Sequence, residues 1–94
     1  MARARFKNKV IAESDDVEIV EGNVYFPPQS VNREFLKESD YRSTCPWKGE
    51  AYYCHVVVDG EENRDAAWFY PDPKKEAKYI QGYVAFWRGI EVEK

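Results

Sequence analysis

Leucine is nearly missing from this sequence: Leu36 stands alone against ten valines and four isoleucines. Helical bundles draw their cores largely from leucine, whereas β-branched and aromatic side chains fit a pleated sheet. An all-helical domain is therefore excluded and a mainly β chain expected. No run of about 18 apolar residues is present to cross a bilayer as a helix, and the N-terminus lacks the apolar region of a signal peptide. Cysteine is scarce as well. Cys45 and Cys54 are too few for a disulfide framework, so the expected setting is the cytoplasm, with both thiols reduced and no membrane as partner.

Basic charge is in the minority. Fourteen Lys and Arg against 17 Asp and Glu leave a net charge of −3, with a pI near 5.2. A dedicated nucleic-acid binder normally carries a basic field, so nucleic acid is not the expected partner. One local exception is the alternation Arg3, Arg5, Lys7, Lys9, which reads as a solubilised edge strand or a strand that turns at Lys7-Asn8-Lys9. Metal-ligating residues are also few. His55, Cys45 and Cys54 form no C-x-x-C pair, and neighbours such as Cys54 and His55 diverge on a strand, so no metal site is expected. No G-x-G-x-x-G, P-loop, G-x-S-x-G or H-E-x-x-H occurs, and no cofactor is implied.

Aromatics are what the chain has in quantity. Three Trp, seven Tyr and five Phe make up 16% of 94 residues, enough to give a single small domain (1–94) its core. Turn signals divide it into about eight short strands. Arg3 to Phe6 and Val10 to Glu13 are the first two; Val17 to Val20 and Val24 to Phe26 flank Glu21-Gly22-Asn23. Pro27-Pro28 ends pairing, and Gln29 to Leu36 is expected to be a short helix capped by Ser30. Tyr41 to Cys45 and Glu50 to Val58 form a hairpin over Pro46-Trp47-Lys48-Gly49. Asp59-Gly60 supports a type I′ turn into Ala66 to Tyr70. Asp72-Pro73 opens a second short helix with Ala77 and Ile80 inward. Tyr83 to Trp87 and Ile90 to Val92 are expected to close the chain as a hairpin over Arg88-Gly89.

Chemistry concentrates in Thr44-Cys45-Pro46-Trp47-Lys48-Gly49-Glu50-Ala51-Tyr52-Tyr53-Cys54. Two hairpin registers are open here, Cys45 opposite Ala51 or opposite Tyr52. Either leaves Cys54 at least about 6.6 Å along the partner strand, against a usual disulfide limit of about 6.8 Å between Cα atoms. No bridge is expected. Cys45 is the one candidate nucleophile, with Lys48 three residues on and His55 on its face only in the first register. The competing reading is a small buried side chain before a turn. The acids Asp15, Asp16, Asp59, Glu61, Glu62 and Asp65 fall in expected turns and read as solvated. Trp47, Trp68 and Tyr70, with Tyr25, Tyr53 and Trp87 nearby, could wall a pocket for a flat or anionic small molecule, with Arg33 and Lys48 as anchors. The same rings would also serve as core.

Four segments carry a resemblance: Glu21-Gly22-Asn23-Val24-Tyr25-Phe26-Pro27-Pro28-Gln29-Ser30-Val31, Thr44-Cys45-Pro46-Trp47-Lys48-Gly49, Ala67-Trp68-Phe69-Tyr70-Pro71-Asp72-Pro73 and Gly82-Tyr83-Val84-Ala85-Phe86-Trp87. In this order, over nearly the whole chain, they resemble domain-of-unknown-function family 427. The resemblance implies a β-tent-like fold, in which two antiparallel sheets meet at a steep angle. That group includes B-type methionine sulfoxide reductases and Yippee-like ligand-binding domains. Its paired C-x-x-C zinc knuckles are absent here, so neither zinc nor reductase chemistry carries over. The family's nucleotidyltransferase-like label implies paired carboxylates on Mg²⁺ and a phosphate-cradling loop; Asp15-Asp16 is a pair, but neighbours on a strand diverge and on a turn are hydrated. Three functions are carried forward. The first is a small-ligand binder using Arg33, Trp47, Lys48, Trp68 and Tyr70. The second is an enzyme, with Cys45 as nucleophile or with nucleotidyltransferase-like activity. The third is a structural or interaction module, either a monomer or a homodimer.

Overall fold

The computed structural model describes all 94 residues, Met1–Lys94. Nine strands follow one another: β1 (Ala2–Phe6), β2 (Lys9–Ser14), β3 (Glu18–Val20), β4 (Asn23–Tyr25), β5 (Leu36–Cys45), β6 (Gly49–Val58), β7 (Glu61–Phe69), β8 (Val84–Phe86) and β9 (Glu91–Glu93). They form three antiparallel sheets, β2-β1-β9, β3-β4 and β5-β6-β7-β8, where two sheets were expected. Phe26 and Val84 exchange both backbone hydrogen bonds, at 2.8 and 2.9 Å, so the β3-β4 hairpin continues the large sheet beyond β8. No helix is long and apolar enough to cross a membrane.

The period of two sorts the large sheet into two cores. Cys54, Val56 and Val58 of β6 point with Val84 and Phe86 of β8 into the first. There they meet Ala2, Ala4, Ile11 and Ala12 of the three-stranded sheet. Ala51 of β6, Trp68 of β7, Tyr70 and Ala85 of β8 point the other way, with Tyr25 of β4, and are covered by Ala77 and Ile80. The first core is mostly aliphatic, with Phe26 and Phe86 among its members; the second, the aromatic core, is built around Tyr25, Trp68 and Tyr70.

Turn chemistry explains the hairpins. Lys7-Asn8, Glu21-Gly22 and Asp59-Gly60 all hold positive φ at both positions, as a two-residue type I′ turn demands. Val58 accordingly pairs with Glu61, the tight return expected of Asp59-Gly60. The alternating basic residues of β1 lie on the sheet's surface, neutralised by acids: Arg3 pairs with Glu13 and Glu93, Arg5 with Glu93, and Lys7 with Glu61.

Several expectations need correction. The helix expected over Gln29 to Leu36 is two 3-10 turns, Pro28–Ser30 and Arg33–Phe35, and Leu36 already belongs to β5. Ser30 caps nothing; its hydroxyl donates to the Pro27 carbonyl at 2.7 Å. The second helix is the 3-10 segment Lys75–Ile80, which starts after Asp72-Pro73 without a side-chain cap, although Ala77 and Ile80 do face inward. The last hairpin does not form. Arg88-Gly89 turns, yet β8 pairs with β7 while β9 crosses to β1 in the other sheet. Strands β5 and β7 begin earlier than the expected Tyr41 and Ala66, because their polar N-terminal halves pair across β6 all the same.

Candidate functional site

The turn between β5 and β6 is two residues shorter than the tighter of the two registers read from the sequence, and three shorter than the other. Cys45 pairs with Gly49, which leaves Pro46-Trp47-Lys48 as the loop. Gly49 has φ of +112°, a conformation closed to side-chain-bearing residues, and a Cβ there would meet the Lys74 backbone nitrogen at 3.5 Å. That close approach lets Lys74 strap the loop. Its N–H donates to the Lys48 carbonyl at 2.8 Å and its ammonium to the Pro46 carbonyl at 2.6 Å. Held this way, Lys48 turns inward to the aromatic core, and its side chain is only 6% exposed.

An ammonium in such a place needs a counter-charge. Glu21, from the β3-β4 turn, supplies it. One carboxylate oxygen pairs with Lys48 Nζ, and the other accepts the Trp47 indole N–H at 3.2 Å. Lys48 Nζ also lies 5.2 Å from the Trp47 ring centroid and 5.5 Å from that of Tyr70, within cation–π range. Burial alone would lower the Lys48 pKa. The Glu21 hydrogen bond, helped by Tyr25, Tyr70 and Cys45, holds it above the ordinary lysine value. Donation from Lys48, then from Trp47, holds the Glu21 carboxyl below its usual range. Burial pushes the Tyr70 phenol up to about 12 and raises Tyr25 as well, the latter opposed by the Trp68 N–H that Tyr25 accepts at 3.1 Å. At neutral pH the site is thus a single ammonium among neutral phenols, matched by one carboxylate.

From this centre the rings run on across the open face of the large sheet. Trp68 meets Tyr25 edge-on at 6.2 Å and Trp87 at 5.5 Å, and Tyr53 lies 6.4 Å from Trp68 and 4.7 Å from Tyr41. Trp87 and Tyr41 are exposed, and the Arg88 guanidinium lies over Trp87 at 4.5 Å. Hydrogen bonds set the rings: Trp87 Nε1 donates to the Asp65 carbonyl at 2.5 Å, and Tyr53 shares a 2.9 Å bond with Ser43.

Of the residues singled out from sequence, Trp68 and Tyr70 belong to this second core, Trp47 and Cys45 pack against it, and Lys48 reaches it at Tyr70. Arg33 does not join them. It is exposed in the Arg33–Phe35 turn, and its charge acts on Cys54, which faces the first core. His55 does not meet Cys45 either. Gly49, the partner of Cys45, is six residues from His55 along β6, about 20 Å at the rise of a strand. Both thiols are free, and burial raises the pKa of Cys54. No three His, Cys, Asp or Glu side chains converge as a metal site would need. Asp15 pairs with the N-terminus and the Asp16 N–H donates to the Ser14 hydroxyl, so this adjacent acidic pair faces solvent.

Sequence reasoning missed two groups. Glu21 gave no signal beyond its turn, since its partner lies 27 residues on. Asp65, read as a solvated turn acid, sits at φ +54° in a bulge of β7, where its carboxylate accepts the buried Ser39 hydroxyl at 2.5 Å. Its backbone N–H donates to His55 Nδ1 at 2.9 Å, which accounts for the buried histidine as part of the framework.

Fold and site together define a small all-β domain that keeps one caged lysine in an aromatic core. The chain belongs to the family described as Domain of unknown function (DUF427), whose model matches residues 1–94. No curated protein matches it.

Proposed function

We propose that this domain is a cytoplasmic binder of a small, planar, anionic molecule, with Lys48 and the Trp47 N–H receiving the anion and Trp68 and Tyr70 forming the wall behind them. The observation that carries the reading is the convergence of two donors on one carboxylate: a nearly buried ammonium and an indole N–H, each taking a separate oxygen of Glu21. Even when paired, a sequestered ammonium gains little stability over an apolar side chain of the same size, so its placement here fits a recognition task better than a packing one. Arg33 is left out of this anchor because of its position. The two free thiols fit a reducing compartment. Kinship with the β-tent group is part of the proposal, supported by membership of the family and by the packing of one sheet over another through the first core.

The test is a melting-temperature screen of planar aromatic acids against their neutral amides, on the natural chain and on Lys48→Met. Acids should raise the melting temperature of the natural chain only, and amides of neither. Equal effects of an acid on both proteins would remove Lys48 from the site.

A second reading, self-association through the open sheet face, draws on the exposed Trp87 and Tyr41. A mass that rises with concentration in light scattering, and falls back in Trp87→Ser, would favour it.

A further inference from the structure

Resting on that reading, we propose that the site is specific for monocarboxylates and that Glu21 is its resident competitor: a ligand's carboxylate displaces the Glu21 side chain and takes its two hydrogen bonds. The geometry points to a carboxylate because the donors are divided as one carboxylate requires, Lys48 Nζ on Oε1 and Trp47 Nε1 on Oε2. The positive charge in the cluster also matches a monoanion. Lys48 is the only cation paired with Glu21: the Arg33 charge acts on Cys54 of the first core, the Lys74 ammonium is spent on the Pro46 carbonyl, and Arg88 lies out over Trp87. A phosphate dianion would leave one negative charge uncompensated against the Tyr25 and Tyr70 phenols.

Displacement asks little of the fold. The Glu21 side chain is 53% exposed, in a two-residue turn whose Gly22 has no neighbour within 4 Å of where a Cβ would stand. Rotation of that side chain into water uncovers Lys48 and the edge of Trp47 without moving a strand. The surface carries no formed pocket, so room for the ligand has to come from movement of the Glu21 side chain. A ligand's apparent affinity is then reduced by the fraction of molecules in which Glu21 is docked.

The experiment is a titration of ¹⁵N-labelled protein with sodium benzoate, following the Trp47 indole N–H resonance, which Trp47→Phe identifies among the three tryptophans. Benzamide and inorganic phosphate are run alongside. The expected result is that Glu21→Ala binds benzoate about tenfold or more tightly than the natural chain, shifts little with benzamide or phosphate, and loses the effect in Glu21→Ala/Lys48→Met. Should Glu21→Ala fold poorly with Lys48 left unpaired, Glu21→Gln serves in its place, and benzoate should raise the melting temperature of either variant more than that of the natural chain. If the natural chain and the variant bind benzoate equally, Glu21 is no competitor, although the binding function stands. Phosphate binding as tightly as benzoate overturns the carboxylate assignment. No response to either anion in any form of the protein rejects the binding function and this inference with it.

Discussion

Lys48 and Glu21 share one ion pair on unequal terms, since the lysine side chain is 6% exposed and the glutamate 53%. Removing Glu21 strands a sequestered ammonium, whereas removing Lys48 leaves a carboxylate that water readily takes up. Lys48→Met, which preserves the packing of the apolar stem, should therefore cost only about 1 kcal/mol or less. Glu21→Ala should lower the melting temperature by more; equal losses in calorimetry would mean that Lys48 is not truly sequestered. Trp68 is a different case, because its ring packs against Tyr25, Tyr53 and Trp87 and its N–H is bonded. Trp68→Ala should cost about 3–5 kcal/mol, a large share of the stability of a domain this small, so Trp68→Phe is the variant to use in binding work. The two thiols should separate cleanly. Half-buried Cys45 is expected to react with iodoacetamide well before Cys54, whose thiol is buried and raised in pKa; peptide mass mapping at partial labelling would read the order.

At the scale of the element, the central strand β6 is flanked by irregularities on both sides, one in β5 between Glu38 and Arg42 and one in β7 opposite His55. Ser39 and Asp65 join the two across the strand, and Ser39 Oγ also accepts the Tyr41 N–H at 3.1 Å. Ser39→Ala removes a buried donor and acceptor together and should cost about 1–3 kcal/mol in denaturant unfolding; a cost under about 0.5 kcal/mol would mean that strand pairing alone sets the bulges. These bulges also mark where the sequence stops being legible. The two-residue turn at Asp59-Gly60 could be read, because it answers to a local φ requirement. The turn expected over Glu21-Gly22-Asn23 is a residue shorter, with Asn23 already paired to Val20. The register of Cys45 could not be read, because the tight Pro46-Trp47-Lys48 loop is fixed by a strap from Lys74, 26 residues beyond Lys48. The 3-10 turns were mistaken for helices for a related reason: caps and apolar spacing are local, while the strands that shorten these segments are not.

For the whole molecule, pH dependence gathers the buried groups into one profile. Glu21 has a folded pKa below its ordinary value of 4.5, so its contribution is present above that value and is lost as the pH falls through the lower, folded one. Lys48, Tyr25 and Tyr70 have folded pKa values above 10.5, 10.0 and 10.0. Their contributions are complete below those values and are lost as the pH rises through the folded ones, near 12 for Tyr70. Stability should thus hold through neutrality and fall on the alkaline side above about pH 10, and Tyr70→Phe should blunt that fall in a melting-temperature series. An alkaline limb unchanged in Tyr70→Phe would place that phenol in water. The β class and the gathering of Trp47, Lys48, Trp68 and Tyr70 in one cluster were legible from composition and motif. The pairing of Lys48 with Glu21 was not, because it depends on β4 docking beside β8, a tertiary event that no local pattern encodes. The most direct test of the central claim is native mass spectrometry of the natural chain and Lys48→Met, purified gently from the same cells. A small acidic adduct on the natural chain that is absent from Lys48→Met is the predicted result; the same adduct retained on Lys48→Met would contradict it.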